Sequence, residues 1–337
     1  MRAGIRAGLT AMVLTSLFAA APAAARTAGC VPKMNVEAIV DDSSSMLSTD
    51  PEFLRVAALD KFVHTPGPTR HGGNQDKVLG ATEFSGESKQ LFPPIPIGGN
   101  GDGITAVLQQ QILGDGTTGT STGTDYNDAF AGAGANNPTA TARIFLTDGG
   151  HLTTDDTAYN EAHRGGPPTY VLGFGSSITQ TDSDRLARIA AETGGQYFPA
   201  TDNTTLQANL GTISSALSCV PPPRTQTQTF SQTGETQKES APVPPGSNTA
   251  NLSISWTSTS DEFNIRKVVI KRNGKTVAGT TKKFKSGKRL GVDRESGETF
   301  VSLLVDNLRK GKLKFLVRAN TIGSFSPEVT TQTVVLP

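Results

Sequence analysis

The chain has 337 residues, of which 35% are hydrophobic, and a formal net charge of +1. This length excludes a single small domain and predicts two globular units, each large enough to bury a core. The net charge conceals an uneven distribution, because residues 261–337 hold 16 Lys and Arg against 7 Asp and Glu, a net of +9 that leaves −8 for the rest.

Residues 1–25 have the features of a Sec-type signal peptide. Arg2 and Arg6 precede an apolar run that ends in small residues, which predicts cleavage near Ala25. This run is too short for a spanning helix, and no later stretch approaches the roughly 20 apolar residues that a membrane helix requires. We therefore expect a secreted, periplasmic or cell-surface protein of bacterial type with no transmembrane segment.

The chain contains two cysteines, Cys30 and Cys219. In an oxidising compartment, an isolated pair favours a disulfide over two free thiols. A second interpretation stays open, because "TAGC" at 27–30 is similar to a lipoprotein signal that would place a lipid on Cys30. We favour the disulfide, since Thr27 is a poor residue in such a signal and the apolar segment lies too far upstream.

The region between the cysteines, 30–219, alternates short apolar segments with helical patterns. This alternation predicts an α/β fold with a doubly wound, mostly parallel sheet. The apolar segments are nearly continuous, as expected for parallel strands that are buried on both faces. The predicted strands are 35–40, 77–84, 142–148 and 169–175. Near its end, the region shows two helical patterns, and Gly194-Gly195 offers a cap to the first.

Polar side chains follow several of these strands, at the edge where doubly wound sheets bind their ligands. The first strand continues into "DDSSSM", where Asp41, Ser43 and Ser45 place one carboxylate and two hydroxyls on a tight loop. Asp148 ends another strand before two glycines, and Thr124 precedes a helix-like segment. Oxygen ligands of this kind suit hard cations, although an ordinary polar turn would also explain the first loop.

These residues resemble the metal-ion-dependent adhesion site of the von Willebrand factor type A (VWA) domain. The pattern of that family is D-x-S-x-S, a distant Thr and a distant T-D-G. It is met in this order by Asp41, Ser43, Ser45, Thr124 and Asp148. The resemblance covers roughly residues 33–218 and includes "DKVLGATEFS" and "IAAETGGQYFPATDNTTLQANL".

The resemblance implies cation-dependent adhesion without catalysis. Ser43, Ser45 and Thr124 would contact a divalent cation through neutral hydroxyls, and Asp41 and Asp148 would act largely through water. A Mg²⁺ or Mn²⁺ ion held in this way, or Ca²⁺, keeps a coordination position for an acidic group of an extracellular or cell-surface partner protein. The alternative is that these loops only stabilise the fold.

Other motifs in the chain do not support an enzyme. "GDGTTG" at 114–119 matches a dinucleotide-binding pattern, but a helix-like segment precedes it where a strand is needed. The four histidines show none of the paired spacings that are typical of zinc sites, and no G-x-S-x-G motif is present. We therefore expect a binding protein.

The composition changes after Cys219. Residues 220–248 are rich in Pro, Thr and Gln, which predicts a linker, although "TQTQTF" within it has the alternation of an edge strand. Residues 249–337 show closely spaced strand patterns and an Asn-Gly turn, which predict a small all-β sandwich. With Trp256 on an early strand, this part resembles a fibronectin type III or similar immunoglobulin-like domain.

The densest positive charge in the sandwich is "KKFKSGKR", with Lys282, Lys283, Lys285, Lys288 and Arg289. Such a cluster can attract an anionic polymer, such as a glycan or cell-wall component, or lipid headgroups, or it can simply keep this face soluble. It lacks the interleaved aromatic residues that stack nucleic-acid bases, so we expect no nucleic-acid partner.

Two functions are compatible with the sequence. The first is an exported adhesion protein that binds its partner through the cation. The second is a surface structural or glycan-contacting protein in which the basic sandwich binds and the VWA domain is a scaffold. Metal dependence of partner binding separates the two.

Overall fold

The computed structural model describes residues 32, 34–64, 77–115, 123–151, 165–175, 178–280 and 289–336. The predicted signal peptide, Cys30 and the lysines at 282, 283, 285 and 288 lie outside these residues. The predictions made for them, including the disulfide to Cys219, therefore stay predictions. No helix in the described ranges is both long and apolar enough to cross a membrane.

The first domain alternates strands with helices. Its elements are β1 (Asn35–Asp41), α1 (Met46–Thr49), α2 (Leu54–His64), β2 (Val78–Phe84), β3 (Ser88–Pro96), α3 (Gly101–Asp115), α4 (Tyr126–Asn136), β4 (Ala142–Thr147), β5 (Thr169–Phe174), α5 (Gln180–Thr193), β6 (Tyr197–Ala200) and α6 (Asn203–Leu217). The sheet order is β3-β2-β1-β4-β5-β6, and all neighbours are parallel except β2 and β3. The strand order reverses between β1 and β4, which is where such folds bind ligands.

Helices cover both faces of this sheet, which explains the continuous apolar strands. In β1, Ala38 and Val40 pack into one buried cluster with residues of α2, α3 and α6. Ile39, between them, packs into a second cluster with residues of α4 and α5. Because successive strand residues point to opposite faces, a strand covered on both sides needs apolar residues at every position. The predicted α/β class with a mostly parallel sheet is confirmed.

The second domain is an antiparallel sandwich. Its strands are β7 (Arg224–Thr229), β8 (Thr236–Val243), β9 (Thr249–Trp256), β10 (Glu262–Arg272), β11 (Lys275–Gly279), β12 (Gly291–Ser296), β13 (Phe300–Asp306), β14 (Gly311–Thr321) and β15 (Glu328–Leu336). Four strands form one sheet in the order β11-β10-β14-β8, and five form the other in the order β12-β13-β9-β15-β7. Trp256 and Phe263, with ring centroids 5.4 Å apart, lie in the core between the two sheets.

The structure differs from the predicted linker at 220–248. This segment forms β7, which pairs with β15, and β8, which pairs with β14, so the sandwich begins at Arg224. The sequence did not predict these strands, because they contain few buried apolar residues, such as Ala241 and Val243. Their outward residues include Thr, Gln and Lys. The edge-strand interpretation of "TQTQTF" is the one that the structure supports.

Candidate metal centre

Asp41 is the last residue of β1 and its carboxylate is buried at the carboxyl edge of the sheet. One oxygen, Oδ1, accepts the backbone N–H of Ser43 at 2.9 Å, and Oδ2 accepts the hydroxyl of Thr147 at 2.6 Å. Because β4 lies parallel and adjacent to β1, its last residue Thr147 stands beside Asp41, and Asp148 follows directly. Strand pairing thus brings the two predicted carboxylates to the same place.

The loop after β1 presents the two predicted serines together. The hydroxyls of Ser43 and Ser45 are 3.0 Å apart, and Ser45 immediately precedes α1. The Thr49 hydroxyl, one turn further along, donates to Oδ2 of Asp148 at 2.9 Å. This contact ties the serine loop to the loop that carries the second carboxylate.

Thr124 lies on a third loop at the same edge. The backbone N–H of the next residue, Asp125, donates to Ser85 O at 2.7 Å, while that of Asp42 donates to Phe84 O at 2.8 Å. The end of β2 therefore holds the first and third loops side by side. A Cβ built at Gly150 would stand 3.8 Å from Thr124 Oγ1, so Thr124 also faces the loop that follows Asp148.

His151 positions the Thr124 loop. Its Nδ1 accepts the N–H of Tyr126 at 3.3 Å and lies 3.1 Å from the carbonyl oxygen of Thr124. Its ring stacks on Tyr126 with centroids 4.6 Å apart, and the Tyr126 hydroxyl lies 3.1 Å from Thr147 Oγ1. Thr49, Thr147 and His151 do not belong to the predicted ligand pattern.

The electrostatics of the site favour a positive ion. Burial raises the pKa of Asp41 to about 6, and the nearby Asp148 carboxylate adds to this increase, while hydrogen bonds from Ser43 and Thr147 oppose it. A cation between two carboxylates would relieve both the burial cost and the repulsion. The donors that meet here are carboxylate and hydroxyl oxygens, which are the hard ligands that Mg²⁺, Mn²⁺ and Ca²⁺ take. The residues therefore fit a divalent cation.

Within the described ranges, no three side chains of His, Cys, Asp or Glu form a group that could hold a metal ion. A cation at this edge would therefore depend on the hydroxyls of Ser43, Ser45 and Thr124 as well as on the two carboxylates.

A buried ion-pair network supports the loop that follows β1. The Arg55 guanidinium, at the start of α2, donates to Asp42 at 2.7 Å and to Asp50 at 2.9 Å. Asp50 also accepts the backbone N–H groups of Leu54 and Arg55, which lack helical partners at the start of α2. The network fixes Asp42, the neighbour of the candidate ligand Asp41.

No protein-family model matches the chain, and no curated protein matches it either. Similar solved structures include BatB from Bacteroides thetaiotaomicron, with 18% identity, a TM-score of 0.41 and coverage of 55% of this chain and 97% of that one. Proximal thread matrix protein 1 from the mussel byssus, with a zinc-occupied MIDAS motif, has 17% identity, a TM-score of 0.40 and coverage of 59% and 50%. The pilus adhesin SpaC from Lactobacillus rhamnosus GG has 11% identity, a TM-score of 0.43 and coverage of 91% and 44%. At such low identities and TM-scores, the assignment of fold rests on the chain's own topology.

Proposed function

We propose that this chain is an exported, non-catalytic adhesion protein of the VWA type that binds a divalent cation at the edge between β1 and β4. Asp41, Ser43, Ser45, Thr124 and Asp148 would hold the cation. The observation that supports this most directly is the meeting of the Asp41 and Asp148 carboxylates beside two serine hydroxyls that are 3.0 Å apart. Adjacent carboxylates in one site repel each other unless a proton or a cation lies between them.

When bound, the cation would supply an open coordination position for a carboxylate of the partner protein. Residues of the protein itself would hold the ligands of that position and contact the partner beside it. Thr49 and Thr147 hold the two carboxylates in place, and the first loop leaves Leu47 with 56% of its surface exposed. An exposed apolar side chain next to the ligand loop would contact the partner around its acidic group.

Thermal unfolding in EDTA, Mg²⁺, Mn²⁺ and Ca²⁺ tests the cation site. A ligand that binds only the folded state stabilises it, by about 2.7 kcal/mol at a hundredfold excess over its dissociation constant. We expect at least one of the cations to raise the unfolding temperature of the parent chain. The Asp148→Ala variant should lose this increase, because it removes one of the two carboxylates.

The matched control is Asp184→Ala, which removes an exposed carboxylate of α5 outside the site. It should keep the full cation-induced increase. An increase of the same size in the Asp148→Ala variant would show that the cation binds elsewhere and would remove the proposed site.

Binding to a panel of immobilised extracellular proteins, in Mg²⁺ and in EDTA, tests the adhesion step. We expect binding that EDTA abolishes and that Asp148→Ala weakens to the level seen in EDTA. Binding that is indifferent to EDTA would contradict adhesion through the cation, even if the cation itself stabilises the fold.

A further inference from the structure

The four-stranded sheet of the sandwich carries mostly positive charge on its solvent face. Because side chains alternate between the two faces of a strand, Leu313, Phe315 and Val317 of β14 enter the core and their neighbours point outward. The same alternation applies to β8 and β11, and to β10 on each side of a β-bulge between Arg266 and Val269. The basic side chains on this surface, named here the basic sheet face, are Lys238, Arg266, Lys267, Lys271, Lys312, Lys314 and Arg318.

The strand register arranges these charges in rows across the sheet. Lys312 is paired with Lys271, Lys314 is flanked by Val269 and Ser240, and Leu316 lies between Arg266 and Lys238. Successive rows are about 7 Å apart, since two residues of a strand span that distance. Each row carries at least one positive charge, so the charges follow one another along the direction of β14.

This arrangement costs the sandwich stability. Like charges that face each other directly across a strand pair are destabilising, and Lys271 and Lys312 do so. The four strands contain two carboxylates, and neither offsets this pair. Glu239 is 3% exposed and accepts a hydrogen bond from Gln228, while Glu262 lies at the far end of β10 and accepts from Asn320 at 2.8 Å. An anionic partner would remove the repulsion.

A groove lies in the centre of the basic sheet face. Its volume is about 310 Å³, and its apolar lining includes Val269 and Leu316. Four lysines and one buried carboxylate also line it: Lys238, Lys267, Lys271, Lys314 and Glu239. The hydroxyl-bearing residues Ser240 and Thr276 also line it. The groove thus combines a small apolar floor, hydroxyl groups and positive charge. These features suit the apolar ring faces, the hydroxyls and the acid groups of a charged sugar.

We propose that the basic sheet face binds a linear acidic polysaccharide, with Lys271 and Lys314 as central contacts. This surface is separate from the proposed cation site. A linear chain of acid groups matches charges that follow one another along β14. Nucleic acid fits less well, because single-strand binding uses exposed aromatic rings and the aromatic residue of this part of β14, Phe315, is 2% exposed.

Binding of the full chain to heparin and to polygalacturonate, in EDTA at physiological salt, tests the proposal. EDTA keeps the cation site from contributing. The variant with Lys271→Gln and Lys314→Gln should bind roughly tenfold more weakly, since it loses two exposed ion pairs that contribute up to about fivefold each. The control variant with Arg185→Gln and Arg188→Gln removes the same charge from α5 of the first domain and should stay within about twofold of the parent.

Three results would overturn the proposal. An equal loss in both double variants would mean that net charge alone attracts the polymer. A failure of the parent chain to bind either polysaccharide would remove the site. Binding to phosphatidylserine vesicles without binding to the polysaccharides would assign the face to a lipid surface. Because all arms are run in EDTA, none of these results bears on the proposed cation site.

Discussion

Glu37 occupies the middle of β1, where a fully buried strand would ordinarily carry an apolar residue. Its Oε1 accepts the Thr82 hydroxyl at 2.8 Å and the Asn136 side-chain amide at 2.9 Å, whereas Oε2 has no hydrogen-bond partner among the described residues. Burial raises the pKa of Glu37 to about 7, against the opposing effect of these hydrogen bonds. The folded chain therefore keeps a proton on this carboxyl up to nearly neutral pH.

Stability should fall as the pH rises through this window. Below the unfolded pKa of 4.5 the carboxyl is protonated in both states, and between 4.5 and about 7 the folded state binds more protons than the unfolded one. Above pH 7 the chain carries a buried charge. We expect Glu37→Gln to raise the free energy of unfolding at pH 8 by about 1 to 3 kcal/mol and to have little effect at pH 4.5.

Denaturant unfolding at the two pH values measures this difference. Glu87→Gln provides the control, because Glu87 is exposed in the turn between β2 and β3. An equal effect of Glu37→Gln at both pH values would contradict the assignment of a raised pKa. The sequence placed Glu37 on a strand, but it could not reveal this environment, since Thr82 and Asn136 lie 45 and 99 residues away.

At the scale of the elements, α2 supports the loop after β1 that carries the candidate ligands Ser43 and Ser45. Arg55 and Asp50 fix its first turn, and Arg55 also holds Asp42. All three side chains are at most 2% exposed. Removing one member of such a network leaves buried charges without their partner, which is far more costly than removing an exposed ion pair.

We expect Arg55→Met to lower the free energy of unfolding by about 3 to 5 kcal/mol. If the variant folds, its cation-induced stabilisation should also weaken, because Asp42 adjoins Asp41. The control is Arg185→Met on α5, which removes a more exposed ion pair with Asp182 and should cost at most about 1 kcal/mol. Similar losses in both variants, measured by denaturant unfolding, would contradict a supporting role for the network.

The elements that the sequence predicted best are those with local signals. For α5, Thr179 and Asp182 form a capping box, and Gly194 ends the helix with a φ of 75°. The Asn273-Gly274 turn of the β10–β11 hairpin likewise has positive φ values of 48° and 75°. These features depend on a few neighbouring residues, so they can be recognised without knowledge of the fold.

Elements that depend on distant partners were harder to predict. The edge strand β3 is mostly half-exposed and contains two consecutive prolines, Pro93 and Pro94, so it lacks the pattern of a buried strand. The five candidate ligands could be predicted because their order along the chain follows the pattern of a known family. Thr49, Thr147 and His151 lie outside that pattern, because their contacts with the candidate ligands form only in the folded chain.

At the scale of the whole molecule, a buried polar contact forms the joint between the two domains. Lys61 of α2 donates to Gln332 Oε1 of β15 at 3.1 Å and to Ser255 Oγ of β9 at 3.2 Å. In turn, Gln332 Nε2 donates to Ala208 O of α6 at 2.8 Å. His64, one turn after Lys61, lies beside Phe300 of the sandwich, with ring centroids 6.2 Å apart. A joint of this kind couples the folding of the α/β domain to that of the sandwich.

Two groups in this joint respond to pH in opposite directions. Burial lowers the pKa of Lys61 from 10.5 to about 7, so the unfolded state binds more protons between these values and stability rises with pH. The hydrogen bond and charge of Asp60 raise the pKa of His64 from 6.5 to about 9. The stabilisation that charged His64 contributes is therefore fully present below pH 6.5, and it is lost as the pH rises to about 9.

Between pH 7 and 9 the stability gained through Lys61 offsets the stability lost through His64. A variant that lacks one of these groups should therefore show the pH dependence due to the other. In Lys61→Met, the free energy of unfolding should fall from pH 7 to pH 9 relative to the parent, because only the His64 contribution is left. In His64→Gln it should rise over the same range, because only Lys61 is left. Denaturant unfolding at pH 7, 8 and 9 measures the slopes, and comparing the two variants cancels the titration of groups outside the joint. Parallel slopes in the two variants would show that the joint does not control the pH response of the molecule.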